Sequence, residues 1–123
     1  MPSVIVCLPP VGASNSGNHR SFHTGIIVNT ATVAMAGLIK GNTISTVSDD
    51  DQQEGIYIQG GDPLVTALIE GNSVINQKTG IWADADPAQV NSLDMTVAGN
   101  RIAGNDTGLV NDSLDPVMAK NNW

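Results

Sequence analysis

The sequence predicts an all-β chain folded as a parallel β-helix solenoid of about four to five coils, each coil one stacked repeat. Three landmarks recurring in one order predict it. Gly-Asn pairs sit inside similar strings, AGLIKGNTI, ALIEGNSVI and TVAGNRIAG, and VMAKNNW is a variant fourth copy. Gly25-Ile26, Gly55-Ile56, Gly80-Ile81 and Gly108-Leu109 keep the same rhythm, three of them preceded by Thr24, Thr79 or Thr107. Asp-Pro recurs at Asp62-Pro63, Asp86-Pro87 and Asp115-Pro116, six or seven residues after the glycine.

Each landmark has a physical meaning. Residues 1–24 read as an N-terminal coil or cap, with strand-like Val4-Ile5-Val6, and residues 25–123 as the repeats. Before each asparagine the apolar residues alternate: Val33, Met35 and Ile39, then Val65, Ala67 and Ile69, then Met95 and Val97. Period-two alternation marks a strand with one buried face. The asparagines Asn42, Asn72, Asn100 and Asn122 are spaced by 30, 28 and 22 residues. Each is expected to end its strand at a turn, tolerating left-handed geometry, and to join a ladder of stacked side-chain amides. A polar gap then leads to the Gly-Ile strand, and Asp-Pro turns the next corner because proline fixes φ and donates no hydrogen bond. No sustained helical periodicity is present. A left-handed hexapeptide helix would need a stricter six-residue period, and a β-sandwich would carry more aromatics and hairpin turns.

Composition agrees with strands and turns. The chain has 123 residues, 13 of them glycine, and aromatics make up only 3%. The formal net charge is −7 with five basic residues, too few to neutralise a run of phosphates, so no nucleic-acid partner is expected. No apolar stretch is long enough to span a bilayer, so no membrane insertion is expected. The opening MPSVIVCLPP lacks the basic start of a signal peptide. Cys7 is the single cysteine, so no intrachain disulfide can form, and a buried thiol is its default role.

The strings I-x-x-N-x-I followed by Gly-Ile resemble the right-handed parallel β-helix repeats of pectin-lyase-like proteins. AKNNW resembles the coil endings of bacterial surface β-helices, although it lacks their second Trp and Gly. The resemblance covers roughly residues 25–123 and implies a right-handed helix at an extracellular, cell-surface or virion-surface location. The catalytic G-H-G and R-I-K strings of polygalacturonase-like members are absent, so no catalytic residue is carried over.

The strongest functional candidate is an outward column on the Gly-Ile strands. Ile26, Ile56, Ile81 and Leu109 are expected to point inward, leaving Ile27, Tyr57, Trp82 and Val110 outward in one line. Aromatic faces in line can stack on sugar rings; the alternative is that another subunit or flanking segment covers them. Weaker metal candidates are Asp49, Asp50, Asp51 and Glu54, which could also supply a glycosidase carboxylate pair. The aspartates of Asp-Pro, Asp62, Asp86 and Asp115, could form a metal column, but turn capping explains them more simply. His19 and His23 have a metal-like spacing without a further ligand beside them. No cofactor is expected.

The sequence therefore favours a non-catalytic module, structural or carbohydrate-contacting, that self-associates or packs on a parent chain. A small polysaccharide-active enzyme, lyase or hydrolase, is the alternative. Because the chain stops at Trp123 where the pattern asks for another strand, a partner subunit or a further C-terminal segment is expected to cover that coil.

Overall fold

Short alternating runs separated by bends give short strands. The computed structural model describes residues 3–6, 11–12, 23–28, 35–45, 53–62, 64–86 and 88–123. Among them are β1 (Ser3–Val6), β2 (Val11–Gly12), β3 (His23–Val28), β4 (Met35–Lys40), β5 (Thr43–Ser45), β6 (Gln53–Gln59) and β7 (Val65–Glu70). Then follow β8 (Ser73–Ile75), β9 (Thr79–Asp84), β10 (Leu93–Ala98), β11 (Arg101–Ala103), β12 (Thr107–Asn111) and β13 (Val117–Lys120). No helix occurs among the described residues.

Among the described residues all the strand pairs are parallel, and the chain visits three sheets in rotation. The first sheet is β1-β4-β7-β10-β13, the second β2-β5-β8-β11 and the third β3-β6-β9-β12. One circuit of the chain thus adds one strand to each sheet, and β1 and β2 lie on β4 and β5 as an earlier circuit. The strand β3 includes residues on both sides of the expected boundary at residue 24. The polar gap of the sequence also contains a strand: β5, β8 and β11 are three residues long, too short for alternation to reveal them. Their central residues Ile44 and Val74 are buried, and Ile102 is partly buried against the same core.

The core lies between the three sheets. In β7 the burial pattern alternates, with Val65, Ala67 and Ile69 inward, and β10 repeats it with Leu93, Met95 and Val97. The third sheet supplies Ile56, Ile58 and Ile81, each fully buried. Each such side chain stabilises the fold by about 1.5–3 kcal/mol relative to exposure. Leu109 is only partly buried, since β12 is the last strand of its sheet.

Three kinds of bend join the sheets. At the first, Gly41, Gly71 and Gly99 adopt φ of 70°, 64° and 61°, and Asn121 takes the same place at 54°. The residue of left-handed geometry is therefore the one before each ladder asparagine, not the ladder asparagine itself. Glycine suits it because no Cβ opposes positive φ, and asparagine is the next most tolerant. The second bend places Asn76 (φ 56°) and Gly104 (φ 66°) before Gln77 and Asn105. Past this bend stand Gly55, Gly80 and Gly108, in register through their neighbours. A Cβ on Gly55 would lie 2.3 Å from Val74 Cγ1 and 2.5 Å from the Gly80 carbonyl oxygen, so close approach enforces glycine.

Candidate functional site

Register alone builds the outward column. Ile27 pairs with Tyr57, Tyr57 with Trp82, and Trp82 with Val110, on consecutive strands of the third sheet. Because Ile56, Ile58, Ile81 and Ala83 fill the core, the residues between them must face out. Tyr57, Trp82 and Val110 are half-buried; the Ile27 side chain lies outside the described residues. The two rings do not lie with faces in line. Their centroids are 5.5 Å apart at an interplanar angle of 83°, an edge-to-face contact. That geometry suits the ring quadrupoles.

Two carboxylates that the sequence reading missed complete the face. The Tyr57 hydroxyl donates to Asp84 Oδ2 at 2.7 Å, and Trp82 Nε1 donates to Asp112 Oδ2 at 2.9 Å. The relation is the same in both cases. Each ring reaches the aspartate two residues beyond its own neighbour in the next circuit, Trp82 for Tyr57 and Val110 for Trp82. The signal was present in W-A-D and V-N-D, where an aspartate follows the column residue by two and so shares its face. Oδ1 of Asp84 and of Asp112 has no hydrogen-bond partner among the described residues. Burial, then the hydrogen bond to Asp84 and the charges of Asp84 and Glu54, push the Tyr57 phenol far above its usual pKa. Tyr57 thus stays a neutral donor across the physiological range.

The asparagines form a different, interior structure. Asn42, Asn72 and Asn100 are 2%, 2% and 0% exposed. Asn72 Oδ1 accepts from Asn42 N and Nδ2 at 2.9 and 3.1 Å, and Asn100 Oδ1 accepts from Asn72 at 2.9 and 3.0 Å. Asn122 Oδ1 accepts from Asn100 at 3.0 Å in both bonds. The Nδ2 atoms of Asn72, Asn100 and Asn122 also donate back to a strand carbonyl of the preceding circuit, those of Ile39, Ile69 and Val97. A parallel pair at the second bend was not read from the sequence. Asn105 Oδ1 accepts from Gln77 N at 2.8 Å, and Asn105 Nδ2 donates to the Val74 carbonyl. Its signal is an amide residue three places before Gly80 and Gly108.

The three aspartates of Asp-Pro do different work. Asp115 is buried and accepts from the backbone of Asn91, Ser92 and Leu93 at 2.7, 2.7 and 2.9 Å, and from the Ser92 hydroxyl. Desolvation pushes its pKa up, but these four bonds together outweigh burial and hold it below the ordinary 3.8. Asp86 is exposed and caps its own turn at Ala88 N, 2.8 Å away. Asp62 is exposed on an open depression of about 290 Å³ lined by Gly61, Gln89, Val90, Asn91 and Ser92. That depression shares no residue with the aromatic column.

Among the described residues, no three His, Cys, Asp or Glu side chains group to hold a metal. Asp49, Asp50, Asp51, His19 and Cys7 lie outside the described residues, whereas Glu54 stands in β6 and His23 opens β3. No helix among the described residues is long and apolar enough to cross a membrane. No family model, curated protein or solved structure matches the chain.

Proposed function

We propose that the chain is a right-handed parallel β-helix serving as a non-catalytic module at a cell, virion or extracellular surface, where it contacts carbohydrate. The carrying observation is the register column of Tyr57 and Trp82 with Asp84 and Asp112 beside it. Rigid strands hold a half-buried indole, a phenol and two carboxylates at fixed spacing, the combination of apolar surface and hydroxyl-seeking acceptors that a sugar ring requires. The rotation of strands through three parallel sheets supports the β-helix.

Self-association belongs to the same reading and draws support from the first sheet. There Leu38, Leu68, Thr96 and Met118 share one outward register column, and Leu68 and Met118 are 38% and 60% exposed. Exposed apolar columns of this kind suit a second copy of the chain.

A glycan array run beside a reducing-sugar release assay tests the function. The expected outcome is binding without release, with Trp82→Ala weakening binding about tenfold or more, as loss of a central aromatic anchor does. Sugar release abolished by Asp84→Asn or Asp112→Asn would instead support a small polysaccharide-active enzyme. That rival draws on two carboxylates carried by adjacent circuits.

A further inference from the structure

We infer that the outward face of the third sheet selects a cationic saccharide, an oligomer of non-acetylated amino sugar, over a uronic-acid polymer. The inference rests on the carbohydrate-contacting reading and specifies its ligand. Three observations carry it.

The first is charge. Among the described residues, β3, β6, β9 and β12 contain no lysine or arginine, yet Asp84 and the adjoining Asp112 bring two carboxylates to the face that Tyr57 and Trp82 share. The chain as a whole is at −7, so the long-range field has the same sign as the face. A polyuronate would meet repulsion at every step. An ammonium group would meet attraction, and its hydrogen bonds to a carboxylate are of the strong, charge-assisted kind.

The second is vacancy at the acceptor. Asp84 and Asp112 each spend Oδ2 on a ring donor, which fixes the carboxylate's orientation, and Oδ1 has no partner among the described residues. Two oriented acceptors stand beside aromatic rings, and those rings attract cations through their faces.

The third is periodicity. The aromatic and carboxylate pairing repeats once per circuit, and parallel strands are spaced roughly 4.8 Å apart. An extended pyranose chain advances by nearly one such step per ring, so its rings can lie over successive strands, with amino groups within reach of the carboxylates beside them. A second copy of this chain fits the face poorly, because a twofold contact sets the same patch against itself and opposes carboxylate to carboxylate.

The test is titration calorimetry with four probes: hexamers of glucosamine, N-acetylglucosamine and galacturonic acid, and a short oligolysine. The glucosamine hexamer is expected to bind most tightly and to weaken at high ionic strength. Asp112 is exposed, so Asp112→Asn should leave the circular dichroism unchanged while raising Kd for that probe about three- to tenfold. The same variant should leave the weaker N-acetylglucosamine affinity unmoved. Equal or tighter binding of the galacturonate hexamer would overturn the charge selectivity while leaving the carbohydrate reading standing. Oligolysine binding as tightly as glucosamine would overturn the saccharide as occupant in favour of a basic peptide. Failure of all three saccharides to bind would defeat the carbohydrate reading itself, and the inference with it.

Discussion

Asn72 shows how much one side chain can hold. Its buried amide accepts from two Asn42 donors and gives hydrogens to the carbonyls of Ile39 and Glu70. Asn72→Ala removes those partners and leaves the Asn42 donors without an acceptor, so it should cost about 2–3 kcal/mol. Urea unfolding measures this, and a loss under half a kilocalorie would mean that water replaces the amide. Asp115, between β12 and β13, makes a comparable knot with the bend that joins β9 to β10, with a sign that pH can read. Its folded pKa lies below 3.8, so it stabilises the fold above that value and the contribution is lost as pH falls through the folded pKa. Asp115→Asn should therefore reduce stability by about 2 kcal/mol at neutral pH, since an amide cannot accept all four bonds. The gap between variant and parent should narrow in acid. A gap that stays constant down to strongly acid pH would exclude the carboxylate as its cause.

At the scale of elements, legibility followed length and chemistry. The alternation in β7 and β10 was readable because six residues give three inward positions to count. Strands β5, β8 and β11 were not, because three residues with one apolar centre look like any polar gap. The glycine before each ladder asparagine was visible as a pair, but which residue takes positive φ depends on the bend's backbone, and sequence does not carry it. The outward column was readable from strand parity. The ring orientation and the bonds to Asp84 and Asp112 were not, since they depend on χ angles and on register across circuits. The glycines between sheets were visible only as a recurrence; their cause is the absence of room. Gly55→Ala would press a methyl onto Val74 and onto the Gly80 carbonyl, which belongs to backbone and cannot swing away. Overpacking of this kind costs about 1–3 kcal/mol or more. Thermal unfolding of Gly55→Ala beside Gly41→Ala separates the two reasons for glycine. Gly41 has open space around a Cβ and a positive φ, so its substitution should cost only about 1 kcal/mol.

Across the whole molecule, each circuit is clipped to the one before it, and stability should propagate between neighbours. Asn122→Ala cuts the bonds that tie it to Asn100 and Val97, so hydrogen exchange should speed up mainly over residues 97–123. Asn72→Ala should instead raise exchange on both sides of the middle circuits. Identical exchange maps for the two variants would mean that the stack unfolds as one unit. The clips that a side-chain oxygen accepts also share one sense. In the amide column the lower-numbered residue donates and the higher-numbered one accepts, from Asn42 to Asn72, Asn100 and Asn122. The phenol and indole follow the same rule toward Asp84 and Asp112, as does Gln77 toward Asn105. At the lower end of the described column, Asn42 Oδ1 is buried without a partner. The column is thus polar, like a row of aligned dipoles, and its two ends are chemical opposites: acceptor at one, donor at the other. Any segment that prolongs it must arrive in the same sense, donors toward acceptors. Axial stacking of copies would therefore be head to tail, an arrangement that grows into a filament and cannot close as a twofold pair.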